Sequence, residues 1–199
     1  MNFFLDNTDL TLTFDRLVPW ERIVPLTQGR DANVAETVAT WREMLVAAGE
    51  YFGTELAGRA REVDAIGVVQ EGGRVETSAP MRANLKGLAD MGFIGLSLPE
   101  AFGGSGLPFT VSSLGIAMLA RACPATMVEI GIGYTETAAM ILRFGTDAQK
   151  QHYIPRLVRG EIKGAVAMTE PQAGSDVGGI QTAAREDGGS WRLTGRKQF

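Results

Sequence analysis

The nine residues Met168-Thr169-Glu170-Pro171-Gln172-Ala173-Gly174-Ser175-Asp176 bring two hydroxyls, two carboxylates and a cluster of turn-forming residues together. They follow Ala165-Val166-Ala167, an apolar run that reads as a short buried strand. A loop of this composition at a strand end presents free backbone N–H groups and hydroxyl oxygens. Those groups suit an anionic or carbonyl-rich cofactor such as a flavin or a dinucleotide. No Gly-Lys-Ser/Thr follows, so the loop is not a Walker loop, and no G-x-G-x-x-G opens a helix here. The competing reading is a Ser/Thr-rich turn that satisfies its own backbone. Gly174 fits a backbone approached closely by a cofactor and equally a turn glycine at positive φ. Glu170 and Asp176 read as turn acceptors and loop anchors, not as a catalytic base.

Other chemistry-bearing residues are sparse. His152 lies on a polar stretch with Lys150 and Gln151 and reads as solvated surface. Cys123 precedes Pro124 at a helix end and reads as buried packing. Ser105 is not a nucleophile elbow, because G-x-S-x-G fails at Leu107. Gly103-Gly104-Ser105-Gly106 reads as a tight connector between helices. One cysteine and one histidine give no basis for a zinc site, and no metal is expected.

The elements that position these groups are mostly helical. Residues 1–30 are too apolar for a free tail. Pro19 and Pro25 interrupt any long helix, so the segment reads as an extension with one short helix, packed on the chain or on a partner. From Asn33, a cap residue with Glu36 three positions on, Val34, Val38, Trp41, Leu45, Ala48, Phe52 and Leu56 recur at helical steps. Gly67 to Gly73 reads as a loop, Pro80 as the opening of a second helix and Gly92 as its stop. Val111 to Ala122 is apolar nearly all round and predicts a central buried helix. A further helix spans about Met127 to Arg143, despite Gly131 and Gly133; a close helix neighbour or a ligand tail against the backbone would explain these two. Gly131, Gly133 and Tyr134 point to a roomy slot. Thr146 with Gln149 forms a capping box; Pro155 should break that helix and Gly160 end it. Ile180 to Arg185 and Trp191 to Thr194 read as strands joined by Asp187-Gly188-Gly189, with another strand starting at Lys197.

The expected organisation is an N-terminal extension (1–30), a helical domain (31–164) and the start of a β domain (165–199). Two or three strands do not close a stable sheet core, so a longer protein is expected. The 199 residues are 45% hydrophobic, enough for one sizeable core or a domain and a half. A net charge of −4 offers no surface suited to nucleic acid. One cysteine suits a reducing compartment. No Lys or Arg occurs in residues 1–15, which argues against a secretory signal, and no apolar run reaches the roughly 18 residues of a membrane span. The expectation is a soluble cytoplasmic protein with no integral membrane segment.

The loop at 168–176 resembles T-E-P-x-A-G-S-D, the signature of the acyl-CoA dehydrogenases. Gly95 to Gly106 is similar to that family's G-x-S-x-P-E-x-Y-G-G-x-G segment. Phe144-Gly145-Thr146, Gln149-Lys150 and Tyr153-Ile154-Pro155 resemble its F-G-T-x-x-Q-K-x-x-Y-L-P. Leu193 to Phe199 is similar to L-x-G-x-K-x-F, which in the family runs on into I-T. Four motifs in the family's order, over about residues 81–199, are far more specific than any one alone.

The resemblance implies a mainly α chain: an orthogonal helical bundle of the acyl-CoA dehydrogenase type, then the first strands of a β-barrel-like middle domain. It implies FAD and the α,β-dehydrogenation of an acyl-CoA thioester to the 2-enoyl-CoA. In that chemistry a carboxylate removes the α proton and the β hydrogen passes to the flavin as hydride. It places the Met168 backbone and Thr169 near the flavin's pyrimidine edge and Ser175 near the FAD pyrophosphate, with Gly174 letting the backbone approach the cofactor. Ser175 would also meet the acyl-CoA thioester tail, and the Phe199 ring would stack on the flavin. The family's base is a Glu in a C-terminal domain, outside these residues. No catalytic residue is therefore expected here, and the chain alone should show no turnover and hold FAD weakly if at all. The implied partners are an electron-transferring flavoprotein and further copies, as a homodimer or homotetramer. An acyl-CoA oxidase, a flavin monooxygenase-like homologue and a non-catalytic helical oligomerisation module remain as alternatives.

Overall fold

Asn7 caps the first helix. Its Oδ1 accepts the Asp9 and Leu10 N–H groups at 3.1 and 3.3 Å, starting α1 (Thr8–Leu12), which widens into a π turn over Thr13–Leu17. Helix α2 (Trp20–Gln28) then runs straight through Pro25. The segment thus holds more helix than the single short piece expected. Burial explains it: Phe4, Phe14 and Val24 are fully enclosed, and three such side chains outweigh the roughly 3 kcal/mol cost of an internal proline. Phe4, Phe14, Trp20 and Trp41 form a row of rings with successive centroid distances of 5.8, 4.7 and 5.6 Å. The Trp20 indole donates to the Phe14 carbonyl at 2.7 Å. The arm is seated on this chain's own helices. The Phe3 N–H donates to the Gly49 carbonyl at 2.9 Å, and a Cβ at Gly53 would collide with the Met1 carbonyl.

The computed structural model describes residues 1–198. The chain divides into two compact units, Met1–Gly164 and Ala165–Phe199. In the first, the Asn33 side chain accepts the Glu36 N–H at 3.3 Å and starts α3 (Val34–Tyr51), which buries Trp41, Leu45 and Ala48. A π turn over Phe52–Leu56 leads into α4 (Ala57–Ile66), and Phe52 and Leu56 are both fully buried. The stretch read as a loop contains a strand, β1 (Val69–Glu71), paired antiparallel with β2 (Arg74–Glu76). Three-residue strands are too short to leave an alternating pattern in sequence.

Helix α5 (Ala79–Asp90) takes Pro80 in its first turn, and Gly92 follows its end at φ 73°. Gly103 to Gly106 is a tight connector, as expected. The Ser105 and Gly106 N–H groups donate to the Gly95 and Leu98 carbonyls at 3.0 and 2.9 Å. A Cβ at Gly104 would collide with the Leu98 carbonyl. The connector delivers the chain into α6 (Phe109–Ala122), the central helix, which buries residues from Val111 to Ala122. What reads as one helix from Met127 to Arg143 is α7 (Pro124–Ile130), a π turn (Gly131–Glu136) and α8 (Thr137–Phe144) in succession. Helix α9 (Asp147–Val158) opens on the reciprocal Thr146–Gln149 capping box and does not break at Pro155. Ile154 and Leu157 flank that proline and are fully buried. Their burial, about 1.5–3 kcal/mol each, offsets the hydrogen bond lost at the ring.

The second unit contains one hairpin, β3 (Ala183–Asp187) and β4 (Ser190–Thr194), with Asp187 opposite Ser190. Gly188 and Gly189 turn it at φ 59° and 82°, the positive pair that a two-residue connection of matching twist requires. Strand β3 begins three residues later than the sequence suggests, because Ile180 still closes a 3₁₀ turn over Val177–Gly179. Ala165-Val166-Ala167 is not a buried strand. It is exposed and pairs with nothing among the described residues, and an apolar run becomes a strand only beside a partner. Lys197 and Gln198 do not form a strand either, although one bond ties Gln198 to Thr169. Phe199 lies outside the described residues.

Candidate functional site

Met168, Thr169, Gly174 and Ser175 fall on one loop of the second unit, and the hydrogen bonding of that loop is uneven. The Glu170 N–H donates to the Ala173 carbonyl and the Ala173 N–H to the Glu170 carbonyl, both at 3.0 Å, closing the turn through Pro171 and Gln172. The Met168 carbonyl accepts from Lys197 Nζ at 2.9 Å and the Thr169 carbonyl from the Gln198 N–H at 3.0 Å. The Thr169 N–H, the Thr169 hydroxyl and the Ser175 hydroxyl have no hydrogen-bond partner among the described residues. Ala173 is buried beneath the turn, whereas Met168, Gly174 and Ser175 are exposed. The loop therefore engages the carbonyls of Met168, Thr169, Glu170 and Ala173 and leaves the Thr169 N–H and the two hydroxyls open among the described residues.

Gly174 separates the two readings of its residue type. Its φ is not positive, which removes the turn-glycine alternative. A Cβ there would meet no atom within 4 Å, so packing inside this chain does not require glycine either.

Glu170 is the anchor. Its side chain is almost wholly enclosed and accepts the Gln181 N–H at 2.8 Å, the Thr182 N–H at 3.0 Å and Gln172 Nε2 at 2.7 Å. Lys197 Nζ stands 3.0 Å from its other face. The Thr182 hydroxyl beside it, the Gln181 N–H, the Lys197 ammonium and the Thr182 N–H favour the ionised form. They hold the carboxyl well below the usual carboxylate range. Thr182 Oγ1 is itself buried and completes no hydrogen bond at good geometry among the described residues. The sequence reading assigns Glu170 an anchoring role but gives none to Lys197, Gln181 or Thr182. The lysine of L-x-G-x-K was the available signal, since a cation near a buried carboxylate is what such an anchor needs. Asp176 turns the chain through its carbonyl, which accepts the Gly179 N–H at 3.0 Å.

In the first unit, Gly131 opens onto a cavity of about 280 Å³ lined by Phe93, Ile94, Leu96, Phe109, Ile116 and Met127, with Ser112 and Thr135 among its few polar groups. A Cβ at Gly131 would meet nothing within 4 Å. Tyr134 lines a different cavity, of about 680 Å³, beside Arg82, Lys86 and Lys163, and Gly133 lines neither, so the three residues do not share one slot. Burial and the nearby Glu129 carboxylate push the Tyr134 hydroxyl up from its ordinary range. His152 is exposed, 3.3 Å from Arg156. Cys123 is buried and accepts from the Thr126 hydroxyl at 3.1 Å. Among the described residues no cluster of His, Cys, Asp and Glu is arranged for a metal, and no helix is long and apolar enough to cross a membrane.

Comparison with known proteins locates both units. The acyl-CoA dehydrogenase N-terminal domain model matches residues 39–161, and the acyl-CoA dehydrogenase middle domain model matches residues 165–199. The mitochondrial short-chain specific acyl-CoA dehydrogenase of Mus musculus is 36% identical over 117 residues, 59% of this chain and 28% of that protein. The mitochondrial isovaleryl-CoA dehydrogenase of Pongo abelii is 31% identical over 156 residues, 78% of this chain and 35% of that protein. The crystal structure of an acyl-CoA dehydrogenase complexed with FAD from Bacillus anthracis superposes with a TM-score of 0.66 at 26% identity, covering 85% of this chain and 27% of that one. The chain thus spans about a third of the length of the relatives it matches.

Proposed function

The chain belongs to the acyl-CoA dehydrogenase family, and from that premise we propose that the whole protein carries out FAD-dependent α,β-dehydrogenation of an acyl-CoA thioester. One observation carries the reading: the 168–176 loop ties up the Met168 and Thr169 carbonyls and leaves the Thr169 N–H and the Thr169 and Ser175 hydroxyls open among the described residues. That donor set fits a flavin, whose pyrimidine edge and pyrophosphate are rich in acceptors, and Gly174 leaves the backbone bare where a cofactor would lie. Thr169 and the Met168 backbone would hold the pyrimidine edge. Ser175 would hold the pyrophosphate and also touch the thioester tail. Phe199 is the proposed aromatic wall. When bound, FAD supplies the two-electron acceptor for the β hydrogen.

The residues here bind and orient; they do not take the proton. An ion-paired carboxylate with a depressed pKa is a poor base, which excludes Glu170 from that role. The base is proposed to be a Glu outside these 199 residues, so the chain alone should have no turnover. The apolar cavity opened by Gly131 is proposed to receive the acyl tail. An electron-transferring flavoprotein is the proposed acceptor, a homodimer or homotetramer the proposed assembly and the cytoplasm the proposed location.

The test uses the whole protein, purified with its flavin. It should be yellow and bleach anaerobically on adding an acyl-CoA. Thr169→Val and Ser175→Ala should each weaken FAD binding about tenfold, the loss of one hydrogen bond to a charged or polar cofactor group. A colourless protein, or FAD affinity unchanged in both variants, would refute the proposal.

A further inference from the structure

We propose that Glu170 and Lys197 form a positioning pair that sets the orientation of the Met168–Thr169 peptide and so keeps the Thr169 N–H turned out to a ligand. The inference rests on the flavin reading for the identity of that ligand, but the device itself is visible in the second unit. A trans peptide points its carbonyl and its N–H in opposite directions. Lys197 Nζ holds the Met168 carbonyl at 2.9 Å, so the Thr169 N–H on the same peptide is aimed away from Lys197, and it has no partner among the described residues. The next peptide is fixed at both ends: the Thr169 carbonyl by Gln198 and the Glu170 N–H by Ala173. The Met168–Thr169 peptide is therefore held on its carbonyl side by one side chain.

That side chain has a reason to stay. Lys197 Nζ lies 3.0 Å from Glu170 Oε1, and its side chain is only 27% exposed. Glu170 in turn is fixed by the Gln181 and Thr182 N–H groups and by Gln172. Removing the carboxylate would strand the ammonium; removing the ammonium would free the peptide. Lys197 is thus chosen for two acceptors at once, a carboxylate and a backbone carbonyl, which a single flexible ammonium satisfies with its separate N–H bonds. Gly195 leaves room for this packing, since a Cβ there would collide with the Thr182 hydroxyl.

The experiment compares the whole protein, stripped of its flavin, with its Lys197→Met, Lys197→Arg and Glu170→Gln variants by isotope-edited NMR, first without and then with added FAD. In Lys197→Met the Met168 carbonyl carbon and Thr169 amide resonances should move while those of Met1–Gly164 stay, and Lys197→Arg should restore them. Glu170→Gln should raise hydrogen exchange at the Gln181 and Thr182 amides about tenfold, as a charge-assisted acceptor becomes a neutral one. On titration, Lys197→Met should need about tenfold more FAD than wild type for the same Thr169 amide shift. Unmoved Met168 and Thr169 resonances in Lys197→Met would overturn the pair. So would equal FAD titrations of the two proteins where FAD does move the wild-type Thr169 amide. If FAD moves no loop amide in the wild type while the carbonyl results hold, the pair stands and the flavin reading falls.

Discussion

Replacing Gly131 by alanine should stabilise the helical unit, and replacing it by leucine should narrow what the protein accepts. Gly131 sits at the junction of α7 and the following π turn, with φ −59° and ψ −64°, a conformation alanine adopts without strain. A Cβ there meets no atom within 4 Å. Nothing therefore opposes the gain from removing a glycine inside a helix, about 1 kcal/mol. For a chain of this length that corresponds to a rise in Tm of about 2–4 °C. The assay is thermal unfolding of the chain followed by far-ultraviolet circular dichroism, which reports the helical unit. Leucine at 131 projects into the 280 Å³ cavity beside Phe93, Ile116 and Met127. In the whole protein it should leave stability at or above wild type and lower kcat/KM most for the longest acyl-CoA substrates. A fall in Tm for Gly131→Ala would show the opposite: that the π turn needs glycine for its backbone and not for the space beside it. An unchanged chain-length profile in Gly131→Leu would remove the cavity from the acyl path.

Three further outcomes follow from the same geometry. Gly104→Ala forces a Cβ onto the Leu98 carbonyl and should destabilise by about 2 kcal/mol or more, read as a lower denaturant midpoint at unchanged slope. Thr146→Ala removes half of a capping box and should cost about 1 kcal/mol by the same measurement. The Glu170 carboxyl is depressed in the folded chain, so its contribution is complete above the ordinary carboxylate range and is lost only as pH falls through the lower folded value. The Gln181 and Thr182 amides should accordingly stay protected down to about pH 4. Their loss of protection at or above that pH would contradict the assignment.

The helices were legible where burial follows a repeating stripe or a cap. Val34 through Leu56 and the Thr146–Gln149 box are examples, and each reflects physics local to a few turns. Sequence signals lose their force where tertiary burial overrides a local rule. Pro25 and Pro155 sit inside helices because Val24, Ile154 and Leu157 are enclosed by distant neighbours. The π turns left no trace, since a residue inserted into a helix changes the stripe by less than its ordinary irregularity. In the loop, the residue types suggested what is presented. The arrangement that presents them needs Lys197 and Gln181 beside Glu170, and contacts across 11 to 27 positions leave no periodic signature.

The row of rings from Phe4 to Trp41 also makes the protein its own optical gauge. Two of its three tryptophans, Trp20 and Trp41, lie in that row, while Trp191 is 70% exposed on the hairpin. Lifting the first thirty residues off α3 would wet two indoles together and leave the third as it was. The colour of intrinsic emission, without any dye or label, would then track the seating of the arm in real time.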